Sequence, residues 1–129
     1  MIKHKDIPEW LDKIIYTDFE AIFEPRPQDV VYNPDQPYEF VRVYLGTYFP
    51  RSYAEAFCIV CNLLENPNYL SSISGLEEIN ILDFCCGTGG EIVGLIDVLQ
   101  SNFPNLKRIN IDAFDANPDA IRFLYHLME

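Results

Sequence analysis

The chain is short of positive charge. Nine Lys and Arg stand against twenty Asp and Glu, for a formal net charge of −11. The acids are spread along the chain: residues 1–78 hold thirteen against six Lys/Arg, and residues 79–129 hold seven against three. No basic run is present, so the chain alone is expected to be a poor binder of a nucleic-acid phosphate backbone. It also lacks an apolar run long enough to span a bilayer, and no signal-peptide pattern follows Met1-Ile2-Lys3-His4. A cytoplasmic location is therefore expected. Histidine is scarce, with two in the chain and neither near the cysteine pairs Cys58/Cys61 and Cys85/Cys86. Adjacent cysteines suit one tetrahedral ion poorly, so no metal site is expected, and Cys58 and Cys61 read as small core residues. There is no internal repeat and no low-complexity tract. Hydrophobic content of 49% is enough for a packed core, so disorder is not the expectation.

The most informative stretch is Ile79-Asn80-Ile81-Leu82-Asp83-Phe84-Cys85-Cys86-Gly87-Thr88-Gly89-Gly90-Glu91. Apolar residues at 79, 81, 82 and 84 suit a strand covered on both faces, as parallel strands are. Gly87, Gly89 and Gly90 let the backbone turn sharply and approach a neighbour closely. From Glu91 to Leu99 the apolar positions Ile92, Val93, Leu95, Ile96, Val98 and Leu99 predict a helix with a broad buried face. A dinucleotide fingerprint, G-x-G-x-x-G, is not met, because Ile92 stands in its third glycine slot and Gly94 comes too late. Asp83, just before the turn, would repel a phosphate but could help position a cationic ligand. Both features disfavour an oxidoreductase or a phosphate-binding nucleotide domain.

Asp83-Phe84-Cys85-Cys86-Gly87-Thr88-Gly89 resembles motif I of class I S-adenosylmethionine-dependent methyltransferases. The resemblance implies that the loop backbone cradles the amino-acid part and ribose of the methyl donor. Cys85 departs from the pattern, standing where the family's first glycine usually does. A second strand is predicted over Lys107–Phe114, ending on Asp115, and Asn117-Pro118 then reads as a helix cap followed by a first-turn proline. In the family an acidic residue at this strand end takes the ribose hydroxyls, and Asp115 matches it. The cofactor implied is S-adenosylmethionine, with Asp83, Cys85, Gly87, Gly89 and Asp115 as its contacts.

The region before the first strand reads as helical. Asp6-Ile7-Pro8-Glu9 is a capping-box arrangement, followed by apolar residues at helical spacing from Trp10 to Phe23 and a second candidate box at Thr17 and Glu20. Four prolines between Pro25 and Pro37 mark an irregular loop. A helix is predicted over Tyr38–Tyr48, ended by Pro50. Another, capped by Ser52 with Glu55, stops at Asn66-Pro67-Asn68. Tyr69–Glu78 reads as a linker. The segment Tyr48-Phe49-Pro50-Arg51-Ser52-Tyr53-Ala54-Glu55-Ala56 is similar to the arginine-tyrosine helix of mitochondrial and bacterial small-ribosomal-subunit methyltransferase-like proteins. An ordinary helical cap over the cleft is the alternative. On either reading Tyr44, Tyr48, Arg51 and Tyr53 are expected near the cleft mouth.

The expected fold is α/β: an N-terminal helical region over residues 1–78, then a partial Rossmann-like β-α-β-α unit over 79–129. The resemblance covers that second part, and no later segment supplies the fourth strand of the family's sheet, whose end commonly carries substrate-side residues. His126, near the end of the last helix, is not expected to be catalytic. The expectation is a donor-binding fragment or short form, not catalytic alone. The alternative is a non-catalytic methyltransferase-like binding or assembly module. The unmatched edge of the first strand predicts self-association or a complementing chain.

Overall fold

The computed structural model describes residues 7–129. Among them the element order is α1 (Glu9–Lys13), α2 (Pro37–Leu64), α3 (Pro67–Ser74), β1 (Glu78–Phe84), α4 (Gly90–Asn102), β2 (Arg108–Phe114) and α5 (Pro118–Met128). The fold is mixed α/β, with one two-stranded parallel sheet. Register runs from Glu78 opposite Arg108 to Phe84 opposite Phe114. The Cys86 amide donates to the Phe114 carbonyl at 3.0 Å, which carries the ladder past the strand into the glycine turn.

β1 is not covered on both faces. Ile79, Ile81 and Asp83 are partly covered, whereas Leu82 and Phe84 are 63% and 69% exposed. The same alternation holds in β2, where Phe114 is 51% exposed and stacks on Phe84 at 5.3 Å. The inner face packs under α4 and α5, through Ile92, Ile96, Ile121 and Leu124 against Ile111 and Ala113. A larger core lies among the helices, built on Leu11, Ile15, Val41, Leu45, Phe49, Tyr53 and Phe123.

α2 is a single helix that passes through Pro50, contrary to the expected stop. A proline inside a helix removes the hydrogen bond to the carbonyl four residues back, here that of Gly46. The Tyr16 hydroxyl donates to that carbonyl at 2.6 Å, so the buried acceptor stays satisfied. Tyr16 reaches it because α1 continues into a wide turn over Ile14–Asp18, closed by the Phe19 amide donating to the Ile14 carbonyl at 2.9 Å. The following strap crosses α2 at Gly46, where a Cβ would overlap the Ile22 backbone. The Ile22 amide donates to the Arg42 carbonyl at 3.1 Å and the Glu24 amide to the Thr47 hydroxyl at 3.0 Å.

Two further expectations change. The Thr17/Glu20 box does not form: Thr17 lies inside the wide turn and Glu20 takes a left-handed conformation, φ 55°. Asp6 of the first capping box lies outside the described residues. Asn66-Pro67-Asn68, expected as a helix stop, and the first part of the expected linker from Tyr69 instead form α3, capped by the Asn66 side chain accepting from the Asn68 and Tyr69 amides. Asn117 caps α5 in the same way, as expected.

α2 and α4 pack backbone to backbone through Gly90 and Gly94. A Cβ on Gly90 would lie 2.6 Å from the Phe49 carbonyl, and one on Gly94 would overlap the Tyr53 carbonyl. The Tyr53 hydroxyl, buried beside this contact, donates to the Asp97 carboxylate. Burial first, then Asp97, raises the tyrosine well above its ordinary value and keeps it protonated. Gly94, outside the fingerprint's spacing, instead lets these two helices approach closely.

Candidate functional site

The glycine turn connects β1 to α4 through three left-handed positions at alternate residues. Cys85 has φ 58°, Gly87 55° and Gly89 88°. Cys85 thus adopts the conformation that a glycine in its slot would take freely, at a cost of about 1–2 kcal/mol for a side-chain-bearing residue. Its side chain is exposed, whereas Cys86 points inward and is buried. Gly89 caps α4 without any side-chain hydrogen bond, and a Cβ there would overlap the Leu124 side chain.

Asp115 meets this turn from the end of β2. One carboxylate oxygen accepts from the Gly87 amide at 2.8 Å, and the other accepts from the Asn117 amide at 2.8 Å. Strand-end acid and glycine loop are therefore joined directly. Each oxygen carries one protein donor, and a carboxylate has about four acceptor positions, so capacity remains for a diol. Asp83 lies on the inner face of β1, and its Oδ2 is buried without a hydrogen-bond partner among the described residues. Burial, and then the charge of Asp115, pushes its carboxyl above the usual range. Glu91 is pushed the same way by burial, then by Asp83 and Glu55. An anion is unwelcome here and a cationic group is favoured.

Tyr44 roofs the loop. Its hydroxyl would stand 3.0 Å from a Cβ built on Gly87. The ring belongs to an aromatic ladder along one face of α2, with centroids 6.0 Å from Phe40 and 5.0 Å from Tyr48. Burial first, then Asp115, raises the Tyr44 hydroxyl above its ordinary value. The space left between Tyr44, Phe40, Gly87, Asp115, Asn117 and Ala120 is about 150 Å³. Drug-sized ligands occupy roughly 300–1,000 Å³. The space under Tyr44 is smaller than that, and Asp83 lines a separate cavity of about 350 Å³ with Glu91 and Ile92.

Of the residues expected at the cleft mouth, Tyr44 is at the loop, with Tyr48 beside it. Arg51 instead pairs with Glu55 at 2.8 Å on the outer side of α2, and Tyr53 is buried. Arg51 lines a cavity of about 880 Å³ between α2 and the strap at Phe23 and Pro25. That cavity touches neither the glycine turn nor Asp115. Cys58 and Cys61 are half-buried on its wall rather than packed in the core. Among the described residues no group of three or more His, Cys, Asp or Glu could hold a metal ion, and no helix is long and apolar enough to cross a membrane. His126 lies at the end of α5, 3.5 Å from the Glu129 carboxylate.

Comparison with known proteins returns no likeness: no family model, no curated protein and no solved structure matches the chain.

Proposed function

We propose that the chain is the S-adenosylmethionine-binding portion of a class I methyltransferase, built on a partial Rossmann-like unit and not catalytic without a complementing segment. The observation that carries this reading is the 2.8 Å bond from the Gly87 amide to Asp115, which joins a strand-end acid to a glycine turn at the carboxyl end of a parallel pair. Ligands of open parallel sheets bind at that end. Asp115 would take the ribose hydroxyls, and the turn from Cys85 to Gly89 would face the amino-acid part, with Asp83 favouring its ammonium. When bound, the donor would supply the methyl group. Titration calorimetry with S-adenosylhomocysteine tests the reading. Asp115→Ala, checked for an intact fold, should weaken binding by about 1.5–3 kcal/mol, the scale of hydrogen bonds to a charged group. Unchanged affinity removes Asp115 from the site.

A second reading, a non-catalytic methyltransferase-like assembly module, is favoured by a different observation. β1 pairs with β2 alone, so its other edge has no strand neighbour among the described residues. Leu82, Phe84 and Phe114 are exposed on the outer face beside it. No lysine or proline blunts that edge. Association of two copies, or of a complementing chain, through β1 follows from this. Light scattering across a dilution series tests it: a clean monomer at high concentration, with slowly exchanging amides at residues 79–84, would show that the edge is covered within one chain.

A further inference from the structure

We propose that Tyr44 is the gate of the glycine-loop site: its ring fills the cradle that Gly87 opens, and an adenosyl ligand enters only when that ring turns away. The inference rests on the reading of this site as a donor site and adds how access to it is controlled. Gly87 presents no side chain toward α2, and the nearest atoms in the space so opened are the Tyr44 hydroxyl and ring carbon, 3.0 and 3.1 Å from where a Cβ would stand. The closeness that the glycine permits is therefore used by the tyrosine. What remains there is about 150 Å³, well below the roughly 300–1,000 Å³ of ordinary ligand pockets.

Opening by movement of α2 would have to break hydrogen bonds that a side-chain rotation leaves intact. The wide turn and the strap hold the helix on both sides of Tyr44, through the Tyr16 hydroxyl on the Gly46 carbonyl and the Ile22 amide on the Arg42 carbonyl. The ring has aromatic neighbours to turn against, Phe40 on one side and Tyr48 on the other. Tyr48 is itself anchored, its hydroxyl donating to the Pro27 carbonyl at 3.1 Å. Tyr44 is thus the movable member of a ladder whose next rung is fixed.

A gate that is closed most of the time lowers apparent affinity by the fraction of open molecules, so removing it restores that factor. The test compares wild type, Tyr44→Phe and Tyr44→Ala by calorimetry with S-adenosylhomocysteine, and by hydrogen exchange over residues 86–89, which needs no ligand. Tyr44→Phe keeps the ring and should match wild type in both. Tyr44→Ala should bind about tenfold more tightly or better and exchange faster at 86–89. If Tyr44→Ala loses its fold, Tyr44→Leu replaces it, keeping an apolar contact on α2 without the reach to Gly87. Measurable binding that is no tighter in the truncated variant than in wild type overturns the gate and leaves the donor site standing. No binding by any of the proteins, despite faster exchange in the truncated one, overturns the donor reading and the gate with it.

Discussion

The bond from Tyr16 to the Gly46 carbonyl exists because Pro50 has no amide hydrogen to give, and that dependence can be measured. Tyr16→Phe removes the hydroxyl and leaves a buried carbonyl unsatisfied, which costs about 1–3 kcal/mol. At about 3–5 °C per kcal/mol for a domain of this size, the melting temperature should fall by several degrees. Pro50→Ala restores an N–H at position 50, within the helix and in reach of Gly46. In that background Tyr16→Phe should cost about 0.5 kcal/mol or less, because the carbonyl regains a partner. The coupling in the double-mutant cycle should therefore reach about 1 kcal/mol. Urea unfolding followed by far-ultraviolet circular dichroism at pH 7 provides all four stabilities. The sign of Pro50→Ala by itself does not matter, since the cycle subtracts it. Equal costs of Tyr16→Phe in both backgrounds would refute the argument and assign the tyrosine a packing role only.

Cys85→Gly should raise stability by about 0.5–1 kcal/mol, the left-handed strain of Cys85 less the extra chain entropy of glycine; thermal unfolding checks it, and an unchanged or lower melting temperature counts against the strained loop. Gly94→Ala should destabilise by about 1–3 kcal/mol, because its Cβ meets the Tyr53 carbonyl rather than a flexible side chain. Asp83→Asn should stabilise the protein at pH 7. The folded-state value of Asp83 is raised, so the stability it contributes is present below its ordinary 3.8 and lost as pH rises through the folded value. The advantage of the asparagine variant should thus vanish below about pH 3.8; a gain that persists at pH 3 would point away from ionisation.

The sequence was legible where the signal was local. Asn117-Pro118 announces α5 by a side-chain cap and a proline already shaped for the first turn. Asn66-Pro67 carries the same signature for α3, but the helix behind it is two turns long and buries no residue, so Tyr69, Leu70 and Ile73 make too short an apolar pattern to set it apart from a linker. Pro50 misleads for the opposite reason. Proline normally ends a helix, and the donor that lets this one continue lies thirty residues upstream of the carbonyl it serves. Both faces of β1 look apolar in sequence, yet Leu82 and Phe84 face outward and stay mostly exposed. At the site, the positions of Gly87, Gly89 and Asp115 follow from strand-turn-helix patterns. Their direct bond, and the tyrosine ring set over the loop, depend on how distant segments pack, which no local spacing encodes.

The glycine contact between α2 and α4 also sets the order in which the protein can assemble as it is made. α2 is complete at Leu64, but the helix that receives Phe49 and Tyr53 ends at Asn102. At about 5–20 residues per second, the roughly forty residues between them take about 2–8 s to synthesise. The N-terminal part of α2 does not wait, because α1 and the strap precede it and can cover Val41 and Leu45 at once. The later half, with Phe49 and Tyr53, shares the core with Leu11 and Ile15, but the side that α4 covers has no such early partner. During synthesis that side is the surface offered to chaperones or to neighbouring nascent chains, until Gly90 and Gly94 arrive to close over it.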